Sequence, residues 1–405
     1  MSGIFGSITK NTLSEFDIFN VNDLIVDKAS IKSSFFMRCT NKQFLDDKMF
    51  LQYGDYFIIY EGTLLNKKNL LLSYAAKDKY DLFIKMYEAH GYDFVKKLRG
   101  NFCGVIYDMK KKKIIVYNNI LSMKPIYFYY DKDNFIFGSS VFNIVAALKK
   151  LNLSYSHSNL GAYYLLTFGY MIENETIVNE IKKLPPAHIL EVSIDDTFCM
   201  KMYPYYVYDN TSLHSKSADT MVSELNEVFR NAVKLSFDKD NEYNKKHLAL
   251  LSGGMDSRMI VFCAKNMGYN NIQLLDFSQS NSLDERIARN IAKSLQLELF
   301  IYQLDGGDYL KQLNEVININ SGHVFFSNAA HLYSAVRGLD NSKFGQLHNG
   351  NLADVMQGDY TDAPFHTPVN VSNWATSRRL LFRIYDFLEP VKSQYANEEH
   401  FAINN

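Results

Sequence analysis

Cysteine is scarce in this chain. Cys39, Cys103, Cys199 and Cys263 stand far apart in 405 residues, and no two form a C-x-x-C pair. That spacing argues against a zinc ribbon or a disulfide framework and suits a reducing compartment. An excess of one charge is also missing. A net charge of −1 gives no reason to expect nucleic acid or an anionic membrane as a partner. No apolar run approaches the length of a membrane span, and the N-terminus lacks a charged region followed by an apolar core. A cytoplasmic location is therefore expected. Nor does the chain contain the Gly-x-x-x-x-Gly-Lys loop of kinases and GTPases. What is present is ordinary in bulk: 47% hydrophobic and 21% charged residues imply a sizeable core. The length suggests about two domains.

The most informative stretch is Leu248-Ala249-Leu250-Leu251 running into Ser252-Gly253-Gly254-Met255-Asp256-Ser257. A short apolar run reads as a buried strand, the Ser/Gly cluster as a tight turn, and Arg258 to Lys265 as a helix. Two adjacent glycines let backbone N–H groups turn toward a ligand. Ser252 and Ser257 add hydroxyls, and the helix start adds its partial positive charge, which makes an anion cradle suited to phosphate. Asp256 fits beside phosphate when Mg²⁺ lies between them. A nucleotide held by its phosphates is the expectation.

From Ile4 to about Tyr206 short β-branched and aromatic segments dominate, such as Tyr56–Tyr60, Gly104–Tyr107, Lys113–Tyr117 and Tyr127–Tyr130. Polar turns separate them. The lysines at 110–112 read as a solvated hairpin tip. Helical stretches are expected at Tyr80–His90 and Asn159–Phe168. Beyond Asn210 the pattern changes to amphipathic helix over Ala218–Ser236, then to alternating strand and helix: Ile272–Leu275, Asp284–Leu295, Leu297–Ile301. Such alternation implies a parallel, doubly wound sheet with its ligand at the carboxyl ends of the strands.

The SGGxDS string resembles the loop of the ATP pyrophosphatases, which split ATP between the α and β phosphates. The first half is similar to glutamine amidotransferases with an N-terminal nucleophile, through Met1-Ser2-Gly3-Ile4-Phe5-Gly6, Leu98-Arg99-Gly100-Asn101-Phe102 with Tyr107-Asp108, and Ser122-Met123-Lys124-Pro125-Ile126-Tyr127. Thr176-Ile177 followed by Ile181, Lys183, Leu184, Pro185 and Pro186 resembles the segment that closes this domain in asparagine synthetases. In this order and spacing the chain resembles the asparagine synthetase family, with β-lactam synthetases and lasso-peptide cyclases among the relatives.

The resemblance implies an α+β N-terminal domain of sandwiched antiparallel sheets, Ntn-hydrolase-like, over residues 1–207. An α/β doubly wound parallel-sheet domain of ATP-pyrophosphatase type would follow over residues 208–405, short at its C-terminal end. It further implies that Leu251, Ser252, Gly253, Gly254, Asp256, Ser257, Phe277, Asn349 and Gly350 contact ATP. Asp256 and Asp354 would ligate Mg²⁺, two hard oxygen ligands suiting that ion better than one. Phe277 reads equally as a core aromatic at a strand end, and Asp284-Glu285 equally as a family pair or an acidic helix start.

Departures from the family pattern are pointed. Ser2 stands where the nucleophilic cysteine belongs, and a hydroxyl is far the weaker nucleophile. The family's N-G-E-I-x-N is Glu61-Gly62-Thr63-Leu64-Leu65-Asn66, so an oxyanion donor becomes Glu61, which only accepts hydrogen bonds when ionised, and an acid becomes Thr63. Lys79 in Asp78-Lys79-Tyr80-Asp81 replaces a second acid. A dead glutaminase retained as a scaffold is expected. In Gly350–Tyr360 the family's second glycine is Leu352 and its glutamate is Val355. Only 45 residues follow Tyr360, with Lys392 the sole lysine among them, where family members continue through a helical region carrying a catalytic lysine. A shortened relative or a cut chain is expected.

The implied activity is amide-bond formation, with a small-molecule or peptide carboxylate activated by ATP as an acyl-adenylate and then attacked by ammonia or an amine. The alternative is a non-catalytic scaffold or regulatory member that keeps the fold and ATP binding. A homodimer is left open.

Overall fold

A computed structural model describes residues 2–10, 24–195, 197–208 and 216–351. The first half builds two six-stranded sheets. One has the order β10 (Lys182–Lys183), β8 (Tyr127–Tyr130), β9 (Asn134–Gly138), β1 (Gly3–Thr9), β3 (Ser34–Thr40), β2 (Ile25–Ile31). The other runs β12 (Cys199–Pro204), β11 (His188–Ser193), β7 (Lys113–Asn118), β6 (Phe102–Asp108), β5 (Tyr56–Gly62), β4 (Met49–Tyr53). Every pairing in both is antiparallel.

The inner strands are buried on both faces. Phe57 and Ile59 of β5, Val105 and Tyr107 of β6, and Ile114 and Val116 of β7 pack against Ile4, Phe36 and Phe137 of the facing sheet. Their neighbours Ile58, Tyr60, Ile106, Ile115 and Tyr117 point the other way, onto α2 (Lys79–His90) through Leu82, Phe83 and Met86. On the far side, Phe5, Phe35, Met37 and Ile136 pack on Ile144 and Leu148 of a helix at Val141–Lys150. Helix, sheet, sheet, helix is the layer order, and it explains the near-continuous apolar runs in these strands. Gly6 is required by this packing, because a Cβ there would lie 2.2 Å from the Phe137 ring.

The second half carries a parallel sheet of order β15 (Glu298–Gln303), β14 (Ile272–Ser278), β13 (Lys246–Leu250), β16 (Phe344–His348). One face is covered by α5 (Ala218–Glu242), α6 (Met255–Asn266) and α7 (Leu283–Leu295), through Phe237, Val261, Ala264, Ala288 and Ala292. The other face packs Leu248, Leu275 and Phe344 on Ala335 of a helix at Ser327–Arg337. Helices on both faces of a parallel sheet make it doubly wound. Among the described residues, no helix is long and apolar enough to cross a membrane.

The expected helices are present with shifted ends: α5 continues six residues past Ser236, and α6 starts at Met255, three residues before Arg258. The β6–β7 connection at 109–112 is the expected lysine-rich turn. Two compact units arise, and they do not divide at a single point. Tyr163–Tyr170 groups with the second-half residues and Asn314–Val324 with the first.

Phe137, fully buried between the two antiparallel sheets, sets a stability prediction. Phe137→Ala should lower unfolding free energy by about 3–5 kcal/mol, read as a shift in the urea midpoint with an unchanged slope.

Candidate functional site

Strand β13 ends at Leu250. Leu251 still pairs with the sheet, its N–H donating to the Leu275 carbonyl at 2.9 Å, before the chain turns through Ser252-Gly253-Gly254 into α6. At the carboxyl ends of β13 and β14 lies a cavity of about 550 Å³, within the range typical of small-molecule sites. Leu251, Ser252, Gly254, Asp256, Ser257, Phe277, Asn349 and Gly350 all line it. Gly253 alone of the expected ATP-contact residues does not. Leu250, Leu275, Asp276, Asp284 and Asn351 complete the wall. Asp354 lies outside the described residues.

The turn is wired internally, which differs from the expectation that its N–H groups face a ligand. Gly253 N–H donates to Asp284 Oδ1 at 2.8 Å, Gly254 N–H to Ser252 Oγ at 3.2 Å, and Ser252 N–H to Ser257 Oγ at 3.1 Å. The Arg258 guanidinium donates to the carbonyls of Gly254 and Gly253 at 2.9 and 3.1 Å. Local acceptors are close enough to satisfy these groups, as polar backbone demands. The N-cap of α6 is Gly254, which makes no side-chain cap bond, so the positive end of the helix dipole is what this wall offers to an anion.

Asn349 and Gly350 follow β16 directly and lie on that first turn. A Cβ at Gly350 would sit 2.7 Å from both the carbonyl carbon and the Cβ of Asp256, so only glycine allows the approach. Asn349 Oδ1 accepts from the Asn351 N–H at 3.1 Å, which tightens the turn.

Three carboxylates, Asp256, Asp276 and Asp284, share the wall. Asp284 sits in the first turn of α7, whose cap is Ser282, and its carboxylate reaches across to hold Gly253. Asp276 is a wall residue that the sequence reading did not name; the local signal for it is an acid near the carboxyl end of a mostly buried strand. Burial pushes the Asp276 carboxyl up, and the charges of Asp284 and Glu285 push the same way; the Ser278 hydroxyl, donating at 2.6 Å, opposes them. Phe277 lines the cavity and also packs its ring 5.1 Å from that of His331, so contact and core roles coexist.

Ser2 belongs to a separate cluster. Its Oγ accepts from Lys124 Nζ at 3.3 Å. Glu61, fully buried, has Lys48 Nζ at 3.4 Å and Lys124 Nζ at 3.6 Å from Oε1, while among the described residues neither carboxylate oxygen has a partner in hydrogen-bond geometry. Burial pulls Lys48 down, partly offset by the charge of Glu61. Lys48 also donates to Thr40 Oγ1 and Asn41 Oδ1, both at 2.8 Å. Lys79 donates to the Asp46 carbonyl at 2.7 Å, and Asp78 caps α2 by accepting from the N–H groups of Tyr80 and Asp81.

Comparison with known proteins adds to this geometry. Residues 44–206 match the glutamine amidotransferase domain and residues 224–399 the asparagine synthase model. The class is thus a chain that joins an amidotransferase-type domain to a synthase-type domain. It belongs to the asparagine synthetase family. A Methanocaldococcus jannaschii protein named as a glutamine-hydrolysing asparagine synthetase is 27% identical over 215 residues, covering 52% of this chain and 40% of that protein. Asparagine synthetase 2 of Bacillus subtilis is 24% identical over 275 residues, covering 64% and 36%. The chain therefore spans well under half the length of these relatives. Among solved structures, glutamine phosphoribosylpyrophosphate amidotransferase from B. subtilis is similar at 9% identity and a TM-score of 0.33, over 74% of this chain and 65% of that one.

Two predictions follow from the packing. Gly350→Ala should cost about 1–3 kcal/mol by overpacking against α6, measurable by chemical unfolding. An acid with a raised folded-state pKa costs stability when ionised, and that cost fades as pH falls through the folded value. Asp276→Asn should therefore raise Tm at about pH 7 and do so less in mild acid.

Proposed function

We propose that the chain is an ATP-dependent, AMP- and pyrophosphate-forming amide-bond ligase. The observation that carries this reading is the Ser252–Ser257 loop, set at the carboxyl end of an inner parallel strand and lining one cavity with Asn349 and Gly350. The cavity holds hard-oxygen donors beside the N-terminal end of helix α6, a set that fits a magnesium-bound triphosphate. Asp256 would hold the ion, with Asp354 as its expected second ligand. Bound magnesium supplies neutralisation of the charge that collects on the leaving pyrophosphate. The first-turn N–H groups of α6 and the Ser252 and Ser257 hydroxyls orient the phosphates. Asp284 keeps the Gly253 turn in shape, and Phe277 offers a face to the base. A carboxylate aligned with the α-phosphorus then attacks in line, and ammonia or an amine attacks the resulting acyl-adenylate.

Glutamine hydrolysis is impaired in this reading. An oxyanion needs donors aimed at it, and Glu61 offers acceptors only. The Lys48 and Lys124 ammonium groups lie against Glu61. Free ammonia, or an amine on the substrate, is then the nitrogen source. The same loop wiring favours a second reading in which the chain binds ATP without turnover, because Gly253, Gly254 and Ser252 already spend their N–H groups inside the protein.

ATP–pyrophosphate exchange with a panel of carboxylates separates the two. Exchange with any one supports the ligase; ATP binding by calorimetry with no exchange for the whole panel overturns it. Asp256→Asn should abolish Mg-ATP binding, and an unchanged affinity would move the site elsewhere. Glutaminase assays should give a rate at the no-enzyme background, and glutamate release at an enzymatic rate would refute the impairment.

A further inference from the structure

We propose that Asp240, His247 and His348 form a site for a divalent transition-metal ion of the zinc class, which staples edge strand β16 to helix α5. The three residues come from separate elements: the end of α5, the start of β13 and the end of β16. All are buried, and their ligand atoms lie within 4.8 Å of one another. Asp240 Oδ2 is 2.9 Å from His247 Nδ1 and 2.8 Å from His348 Nε2. Two imidazoles and one carboxylate suit Zn²⁺, where Mg²⁺ and Ca²⁺ would favour oxygen alone. Tetrahedral bonds of about 2.0–2.1 Å place ligand atoms roughly 3.3 Å apart, so each imidazole nitrogen need draw back from Asp240 Oδ2 by only about half an ångström.

Two of the three ligands, Asp240 and His348, have the outer fixings that metal ligands require. Asp240 Oδ1 accepts from the Gln346 N–H at 2.8 Å. His348 Nδ1 is 3.0 Å from Ser236 Oγ, and the Phe237 ring stacks on the same imidazole with centroids 3.9 Å apart. Gly345 makes room for the carboxylate, since a Cβ there would meet Asp240 Oδ1 at 2.1 Å. The register between β13 and β16 shifts at this point, leaving the Gln346 N–H to Asp240. With the site empty, both rings can donate to Oδ2. A metal held by His348 Nε2 would turn the ring's Nδ1 hydrogen to the Ser236 hydroxyl, 3.0 Å away.

Among the described residues, strand β16 lies at the sheet edge, paired on one side by β13. A metal at its last residue would brace the strand that delivers Asn349 and Gly350 to the cavity. The inference does not depend on the ligase reading.

The test uses the untagged full chain, expressed with added zinc and purified without chelator. Elemental analysis should find about one zinc per chain, and Asp240→Asn and His247→Gln should each lower that content roughly tenfold or more. Those variants can fail to fold, so wild-type protein is also refolded with Co²⁺. Visible d–d bands of tetrahedral cobalt are expected, which a hydrogen-bonded triad does not give. Wild-type protein that holds no zinc and shows no cobalt bands would overturn the proposal. So would folded variants that keep the wild-type metal content.

Discussion

The contact between Gly350 and the first turn of α6 governs the second half of the molecule. It requires two backbones from distant parts of the sequence to touch with no side chain between them, at a separation where a single methyl carbon would sit 2.7 Å from Asp256. From that contact the rest of the cavity takes its shape. Ser252 and Ser257 bond to each other across the turn, Asp284 pins Gly253 from α7, and Asn349 folds over Asn351. Interiors packed at this density respond to small displacements as a unit, so loop, helix start and strand end form one rigid wall.

The first half obeys a different constraint. Its two sheets carry apolar side chains on both faces, and each face must be covered. Tyr60 and Tyr117 go outward to α2 and its neighbours, while Phe57 and Val116 go inward. The burial that fixes strand register also takes polar groups out of water. Asp47 answers with the Leu64 N–H at 3.0 Å and Lys67 at 2.7 Å. Glu61 answers with charge alone.

Local chemistry made much of this legible. The SGGMDS turn showed itself because strand, glycine pair and helix start have separate signatures that coincide within a dozen residues. The pairing of Asn349-Gly350 with that turn came from family resemblance, since nothing local to Gly350 announces which helix it will meet. Asp276 was missed for the same reason: its significance lies in Asp284 and Glu285, whose charges reach it only after folding. The internal wiring of the turn was equally hidden, because Asp284 is 31 residues from Gly253. His247 and Asp240, seven residues apart, gave no motif spacing, and His348 joins them from 108 residues beyond Asp240.

The buried Glu61 group has a consequence for which substitutions the first half tolerates. Its carboxylate stands beside two ammonium groups, the buried one of Lys48 and the part-exposed one of Lys124. Neutralising Glu61 alone would leave the buried Lys48 charge with only its neutral partners Thr40 and Asn41, and removing Lys48 would take from the acid the nearer of its two cations. A buried charge left without its partner is strongly destabilising. A change at Glu61 or at Lys48 by itself therefore lowers stability, whereas a joint change that removes both charges leaves no buried ion without its partner. The two positions are coupled in this way and tolerate exchange together far better than singly.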